Sequence, residues 1–299
     1  MDPHSANVSG ITGRAFITGA TGFLGASMAR ALVQQGVEVH VLARSSADRS
    51  ALDGVKVTWH EGDVTLPDSF PRNLAGAGWI IHAAGRLGAA LVPEAAYQRV
   101  NAEGTRNVLA AAMQAETRPR VLHVSTAGII GPTGREPAGE DAPWVPTNPY
   151  ERSKAAAEKL AREFSARGLP VTIARPGFIY GPGDHHVLNL FRAVGRGRFF
   201  YIEGGRHYCQ PTYVGDAVAG MLRCLAHGRP GEAYHIVGPR PVTFRDLGDK
   251  IAETLGVRPP WLSLPKWAAR LAAGGLEAVG RVSGLKPPAS MIASSAVSL

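Results

Sequence analysis

The sequence predicts an α/β protein: a doubly wound parallel sheet covered by helices on both faces, followed by a smaller α+β lobe. Three observations carry this. Short apolar runs alternate with segments of helical periodicity through the first half of the chain. The runs are continuously apolar rather than alternating, as strands buried on both faces are. The first strand opens into a helix through the glycine-rich run Thr18-Gly19-Ala20-Thr21-Gly22-Phe23-Leu24-Gly25. Alternating strands and helices imply crossover connections and hence a Rossmann-type sheet.

Ala15–Thr18 reads as the first strand. Phe23–Gln35 follows as a helix with Leu24, Met28, Ala31 and Leu32 on one face, and Gly36 ends it. Val37–Leu42 and Val55–Trp59 are the second and third strands, Trp79–His82 and Val121–Val124 the fourth and fifth. One helix is expected between these last two, from about Glu94 to Gln114. Pro149–Ala166 is a further helix and Val171–Ala174 the sixth strand. After Arg175 the rhythm changes to short strands (Phe199–Ile202, Ala233–Ile236) among helices near Val187–Val194, Gly215–Leu225 and Phe244–Leu255. Residues 12–175 are therefore assigned to the sheet domain. Residues 176–299 form mainly a second lobe at the carboxyl ends of the strands, where open α/β sheets bind ligands. No flexible linker separates the two.

At 45% hydrophobic and 19% charged residues, the 299-residue chain is globular rather than disordered. Its net charge of +8 comes mostly from dispersed arginines, with no basic run interleaved with aromatics, which argues against a nucleic-acid partner. Cys209 and Cys224 have neither CxxC spacing nor metal-ligand neighbours, so reduced thiols and no metal site are expected. Met1–Gly13 lacks a basic segment followed by an apolar run, and no stretch could span a bilayer. The expectation is a cytoplasmic protein with a small-molecule partner and no integral membrane span.

The glycines of the first turn are spaced GxxGxxG. Such a turn lets backbone approach a pyrophosphate closely, while the helix N-terminus offers free N–H groups and the positive end of its dipole. Dinucleotide binding by Gly19, Thr21, Gly22, Phe23, Leu24 and Gly25 follows. The second strand runs out into Val41-Leu42-Ala43-Arg44-Ser45-Ser46, with no carboxylate to accept the ribose hydroxyls of NAD. Arg44 would attract a 2′-phosphate, so NADP is expected ahead of NAD.

Tyr150 and Lys154 stand four apart at the start of a helix and share a face. A phenol titrates near pH 10, and a neighbouring ammonium together with a cationic nicotinamide would bring it toward neutrality for acid–base work. Thr126 or Ser125, just after the fifth strand, could share a hydrogen bond to the substrate oxygen.

With these residues assembled, the sequence resembles the extended short-chain dehydrogenases/reductases, the superfamily of NAD-dependent epimerases, dehydratases and 3β-hydroxysteroid dehydrogenases. It is most similar in pattern to the 3β-hydroxysteroid dehydrogenase and dihydroflavonol reductase types. Further matching segments are Gly62-Asp63-Val64-Thr65, His82-Ala83-Ala84-Gly85, Val100-Asn101-Ala102-Glu103-Gly104-Thr105, Ser125-Thr126-Ala127-Gly128, Tyr150-Glu151-Arg152-Ser153-Lys154 and Arg175-Pro176-Gly177-Phe178-Ile179-Tyr180-Gly181. The resemblance implies that Asp63 and Val64 meet the adenine. It implies that Ala83, Ala84 and Gly85 line the ribose and phosphates, with Asn101 supporting that wall. Tyr150 would be the acid–base, Lys154 would bind the nicotinamide ribose, and Thr126 would polarise the substrate. Pro176, Gly177, Phe178 and Ile179 would brace the carboxamide. It also implies a homodimer through the helices bearing Tyr150 and Val100–Met113.

Substrate class rests on fewer residues. Nucleotide-sugar members of the superfamily carry an asparagine where Phe178 stands, and a phenyl ring cannot donate to a diphosphate. Arg206, ahead of Pro211-Thr212-Tyr213, could still serve one. Arg86, Ala127, Gly128 and Tyr213 complete the expected substrate wall. Toward the C-terminus Leu264, Trp267, Ala268, Leu271, Ala272, Val279 and Val282 recur at helical spacing, with Lys266, Arg270, Glu277 and Arg281 opposite. This segment reads as a packing helix, an apolar lid or a peripheral membrane face. The balance favours an oxidoreductase acting on a hydrophobic or aromatic carbonyl. A nucleotide-sugar epimerase/dehydratase and a catalytically silent NADP-binding sensor are the alternatives.

Overall fold

The computed structural model of the chain describes residues 10–88, 92–133, 137–269 and 271. The strands are β1 (Arg14–Thr18), β2 (Glu38–Ala43), β3 (Thr58–Glu61), β4 (Trp79–His82), β5 (Arg120–Val124), β6 (Val171–Pro176), β7 (Phe178–Tyr180), β8 (Tyr201–Ile202), β9 (Tyr208–Cys209), β10 (Pro211–Tyr213), β11 (Ala233–Ile236), β12 (Val242–Thr243) and β13 (Ser263–Leu264). Seven form one sheet in the order β11-β6-β5-β4-β1-β2-β3, with every pair parallel. The order reverses direction at β1, and the crevice of a doubly wound sheet opens at such a point.

Helices α1 (Phe23–Gln34), α2 (Glu94–Tyr97), α3 (Gly104–Gln114), α4 (Pro149–Ala166), α5 (His185–Gly195), α6 (Val214–His227) and α7 (Phe244–Leu255) complete the fold. Successive residues of a strand face opposite sides of a sheet, and β1 shows this directly. Ala15 and Ile17 enter a core with Met28, Leu32, Val41, Met221 and Leu225, whereas Phe16 enters one with Val108, Leu109, Val121 and Phe164. The first core is closed by α1 and α6, the second by α3 and α4. The second half of the chain thus contributes both an edge strand and a covering helix to the main sheet. Its own small core joins Leu190, Phe191 and Val194 of α5 to Leu247, Ile251 and Ala252 of α7. The α7 helix is well delimited: Thr243 and Asp246 form a capping box, and Gly256 ends the helix at φ +66°.

Two expected elements differ in detail. The third strand starts at Thr58 rather than Val55, because the Val55 amide is taken by the carbonyl of Leu52 at 3.0 Å and pairing begins at His40–Thr58. The expected single helix from Glu94 to Gln114 is interrupted by a π-helical turn, Gln98–Glu103. At the C-terminal segment Trp261, Trp267 and Leu271 are exposed. Arg270, Ala272, Glu277, Val279, Arg281 and Val282 lie outside the described residues. No helix among the described residues is long and apolar enough to cross a membrane.

The β4–β5 register sets His82 beside His123, their rings 5.6 Å apart in the middle of the sheet. His82 Nδ1 lies 2.7 Å from Thr18 Oγ1 and Nε2 2.9 Å from Thr105 Oγ1. Neither nitrogen of His123 has a hydrogen-bond partner among the described residues. Burial, reinforced by the Lys154 ammonium, drives His82 down to about 3 and His123 well below its ordinary value of 6.5. Both imidazoles are therefore neutral in the fold. Below about pH 6.5 the unfolded chain takes up protons that the folded chain refuses, so stability falls as pH drops, by about 1.4 kcal/mol per pH unit per histidine. Replacing His123 with Leu is expected to roughly halve the acid slope due to this pair. Urea-unfolding free energies at pH 7, 6 and 5 check this; an unchanged slope would remove His123 from the account.

Candidate active site

The glycine turn is built by close approach. Gly19 has φ +78°, and a Cβ there would lie 2.5 Å from the Ala84 amide nitrogen as β4 leaves the sheet. A Cβ on Gly25 would run into the carbonyl oxygen of Gly19. The Gly22 amide donates to that same carbonyl at 3.1 Å, and Gly22 then serves as N-cap of α1. No side chain caps this terminus and no acid stands in the first turn. A positive helix end framed by glycines and free of competing anions fits the pyrophosphate of a dinucleotide.

Thr21, Phe23 and Leu24 are partly buried around this turn, and Arg44 is exposed just beyond β2. Asp63 turns one carboxylate oxygen inward to the amide and hydroxyl of Thr65, both at 2.8 Å, which fixes the loop after β3. Val64 is buried beneath Gly104.

Tyr150 lies on the first turn of α4. That helix starts where it does because the Asn148 side chain accepts from the Glu151 amide at 2.9 Å and Pro149 occupies N1. The Tyr150 hydroxyl hydrogen-bonds the side chain of Thr126. Lys154, one turn on, is buried and donates from Nζ to the Val124 carbonyl at 2.6 Å. Burial pulls its ammonium down to about 8, opposed by the Glu158 carboxylate. Sequence reasoning expected Lys154 and a cationic nicotinamide together to draw the phenol toward neutrality; the protein's own groups, taken by themselves, push the other way. Burial pushes the Tyr150 hydroxyl up to about 12, the Thr126 hydrogen bond opposes this, and the Glu151 carboxylate adds to it. The lysine is turned toward the end of β5 rather than matched to the phenol.

Ser125 and Thr126 separate here. Thr126 faces Tyr150 and accepts from the Gly128 amide at 3.2 Å. Ser125 is buried and donates to Glu158 Oε2 at 2.8 Å, on the far side of the chain from the phenol. Among the described residues the shared hydroxyl at Tyr150 is that of Thr126.

Asn101 sits on the π turn, fully buried. Its Oδ1 accepts from the Arg86 amide at 2.7 Å, and its Nδ2 donates to the Arg86 carbonyl and to Ser153 Oγ, at 3.1 and 2.8 Å. Ser153 in turn donates to the Tyr150 carbonyl at 2.6 Å. Thr105 Oγ1 donates to the Asn101 carbonyl at 2.5 Å. A hydroxyl has one proton, so Thr105 accepts from His82 Nε2–H and His82 Nδ1 accepts from Thr18. A continuous line of buried hydrogen bonds thus runs from the glycine turn, across β4, to the turn that bears Tyr150. Sequence reasoning gave Asn101 a role but named Thr18, His82, Thr105 and Ser153 only as members of matching segments; their polar side chains in apolar surroundings were the available signal.

The expected substrate wall is only partly brought together. Phe178 and Tyr213 lie on β7 and β10, which pair in parallel, and Tyr213 meets Tyr180 edge-on with ring centres 6.0 Å apart. Gly88, two residues past Arg86, passes close to Tyr150. Ala127 and Gly128 follow Thr126 in a short 3-10 turn. Arg206 is bound instead to its own turn, its Nε donating to the Glu203 carbonyl at 3.0 Å. It lines an open cleft with Glu203, His207, Ser263, Leu264 and Pro265 whose walls include none of Tyr150, Lys154 or Thr126.

A family model described as NAD dependent epimerase/dehydratase matches residues 15–237 of the chain. The chain belongs to that family. Among relatives in the epimerase/dehydratase family, a 4-hydroxy-2-methyl-3-oxo-4-farnesyl-3,4-dihydroquinoline-1-oxide ketoreductase of Stigmatella aurantiaca is 31% identical over 87% of this chain and 78% of its own length. Sterol demethylase protein B of Methylococcus capsulatus is 32% identical, covering 83% and 76% respectively. Of the solved structures, a dTDP-glucose 4,6-dehydratase from Streptomyces venezuelae, crystallised with NAD and TYD, superposes with a TM-score of 0.76 at 28% identity, covering 84% of each chain. The protein is thus an enzyme of the extended short-chain dehydrogenase/reductase superfamily, a family dependent on NAD or NADP.

Gly25→Ala tests the cradle. A methyl group against the Gly19 carbonyl must open the turn, so dinucleotide affinity is expected to fall at least about tenfold while the protein stays folded. Fluorescence titration with NADPH and NADH, beside a thermal melt, reads both.

Proposed function

We propose that the protein is an NADP-dependent oxidoreductase that interconverts a carbonyl and a secondary alcohol on a hydrophobic or aromatic small molecule. The observation that carries this reading is the Tyr150–Thr126 hydrogen bond with buried Lys154 one helical turn away. A bound nicotinamide dinucleotide supplies or accepts the hydride. Tyr150, a phenol held protonated at neutral pH by burial, gives its proton to the carbonyl oxygen as that oxygen gains charge. Thr126 hydrogen-bonds the same oxygen and keeps the phenol aimed. Lys154 would stabilise the phenolate that this proton transfer leaves behind and would reach the cofactor's ribose. Gly19, Gly22 and Gly25 seat the pyrophosphate, and Ala83, Ala84 and Gly85 form the opposite wall.

Exposed Arg44 at the end of β2, with no carboxylate at that strand end, supports NADP. The NAD in the Streptomyces dehydratase structure makes NAD the competing cofactor. Half-buried Phe178 and the tethering of Arg206 to its own turn support an apolar substrate over a sugar nucleotide. Ketoreductase, sterol and 3-beta-hydroxysteroid dehydrogenase relatives agree with that choice. The second reading, a nucleotide-sugar dehydratase or epimerase, is favoured by the dTDP-glucose dehydratase superposition and by a dTDP-glucose 4,6-dehydratase relative of Streptomyces niveus, 28% identical over 81% of this chain.

Tyr150→Phe is expected to lower kcat by about 10²- to 10⁴-fold and leave NADPH affinity within about threefold, since the hydroxyl is used only in the transition state. Near-normal turnover would sink the assignment. Arg44→Ala is expected to weaken NADPH by roughly tenfold or more while sparing NADH; equal losses would move the cofactor to NAD. Titration with UDP- and dTDP-sugars separates the substrate classes, and saturable binding would favour the second reading.

A further inference from the structure

Beneath the site, on the side away from substrate, lies a carboxylate that the proposed chemistry does not use. Glu158 is fully buried on α4, one turn beyond Lys154. Three cationic or hydroxyl groups converge on it. Ser125 Oγ donates to Oε2 at 2.8 Å. Arg175, itself fully buried, donates from Nη2 to Oε1 at 2.7 Å and from Nε to both oxygens at 3.2 and 3.1 Å. Arg162 reaches Oε1 from solvent at 3.2 Å. The remaining Arg175 amino group, Nη1, donates to the Glu140 carbonyl at 2.7 Å, and the Glu140 carboxylate accepts from the His235 amide of β11 at 3.1 Å. The Arg175 guanidinium also lies over the Trp144 ring, 5.7 Å from its centre.

The sequence positions of these partners give the arrangement its meaning. Ser125 immediately precedes Thr126, the hydroxyl on Tyr150. Glu158 shares a buried helical stripe with Lys154 and Ala161. Arg175 ends β6 and leads into Pro176-Gly177-Phe178, the segment facing the cofactor in the proposed reading. One carboxylate therefore ties together the three backbone exits that carry the reacting hydroxyl, the acid–base helix and the cofactor-facing strand. A buried ion pair is weak evidence for stability, because an apolar pair of similar volume could hold the fold as well. What the charges add is direction, and a fixed negative charge one turn from Lys154.

We propose that Glu158, clamped by Arg175 and Ser125, is a positioning residue that sets Thr126 from behind and stands as the fixed counter-charge one helical turn from Lys154. The function in catalysis rests on the reading of Tyr150 and Lys154 above; the action on Lys154 does not. The test follows the titration of Lys154 by NMR of ¹³C-lysine-labelled full-length protein, with the signal assigned by its loss in Lys154→Arg. Glu158→Gln keeps the size and removes the charge; Glu158→Asp keeps the charge and alters the size. The Lys154 midpoint is expected to fall by about one pH unit or more in Glu158→Gln and to stay within about half a unit of wild type in Glu158→Asp. Equal shifts in the two variants would assign the effect to packing and overturn the proposal, as would a midpoint unmoved by Glu158→Gln. If Glu158→Gln does not fold, Glu158→Gln/Arg175→Gln is compared with Arg175→Gln alone; a Lys154 midpoint lower in the pair supports the proposal, and one no lower overturns it. Tyr150→Phe kinetics report separately on the catalytic reading. An inert Tyr150 beside a Lys154 that follows Glu158 would defeat that reading and leave the positioning intact.

Discussion

The closeness with which Gly19 meets the exits of β4 and α1 constrains almost everything else in the site. The turn after β1 fits only because no Cβ projects from Gly19 toward Ala84 or from Gly25 toward the Gly19 carbonyl. That contact fixes how α1 leaves the sheet, and so where its unsatisfied N–H groups point. It also sets the separation between β1 and the Ala83–Gly85 segment, the two walls between which a dinucleotide would lie. The parallel sheet does the rest by sending the exits of β1, β4, β5 and β6 to the same edge. Thr126 and the Pro176–Phe178 segment then face that edge without long loops to position them, while α4 brings Tyr150 and Lys154 to it from the side.

Polar groups inside this frame are arranged in two lines rather than scattered. One runs from Thr18 through His82, Thr105, Asn101 and Ser153 to the backbone of Tyr150. The other gathers Ser125, Arg162 and Arg175 on Glu158. Satisfied buried networks rigidify the elements they join, because each member would lose its partner if an element shifted. The acid–base helix is therefore held at two levels, once beside Tyr150 and once a turn beyond Lys154. His123, packed between the lines with no hydrogen-bond partner among the described residues, does not belong to either.

Much of the architecture was legible in the sequence, and the exceptions have physical causes. Apolar runs identified five of the first six strands because burial on both faces favours such residues there; the third, Thr58–Glu61, lies at the sheet edge and is exposed at both ends. The Val55 boundary was misjudged because a local turn hydrogen bond competes with strand pairing, and periodicity does not register such competition. The π turn at Gln98–Glu103 was invisible because apolar spacing on either side still fits one helix. Tyr150, Thr126, Lys154 and Asn101 could be singled out because their residue types have chemistry. Which way each side chain turns could not be. Ser125 and Thr126 are adjacent and chemically alike, and only the pleat of the emerging strand sends one to Glu158 and the other to Tyr150. The sequence reading gave Glu158 no role and named Arg175 only as the start of a matching segment, although both are fully buried.

The electrostatics of the pair also bear on which way the proton moves. Burial disfavours any charge, so it raises a phenol and lowers an ammonium, and both shifts are present at Tyr150 and Lys154. Left to desolvation alone, the site would hold a neutral tyrosine beside a lysine close to losing its charge. Two polar contacts oppose that tendency, Thr126 favouring the phenolate and Glu158 the ammonium, while the Glu151 carboxylate reinforces it at Tyr150. A protonated phenol is a ready donor to an oxygen acquiring negative charge and a poor acceptor of a proton from an alcohol. In the proposed reading, the protein's own groups suit the protonated phenol that carbonyl reduction uses. Oxidation needs added positive charge beside Tyr150, which an oxidised nicotinamide would bring; of the protein's own cations on this turn, Arg152 is paired with Glu94 and Lys154 is turned toward Val124.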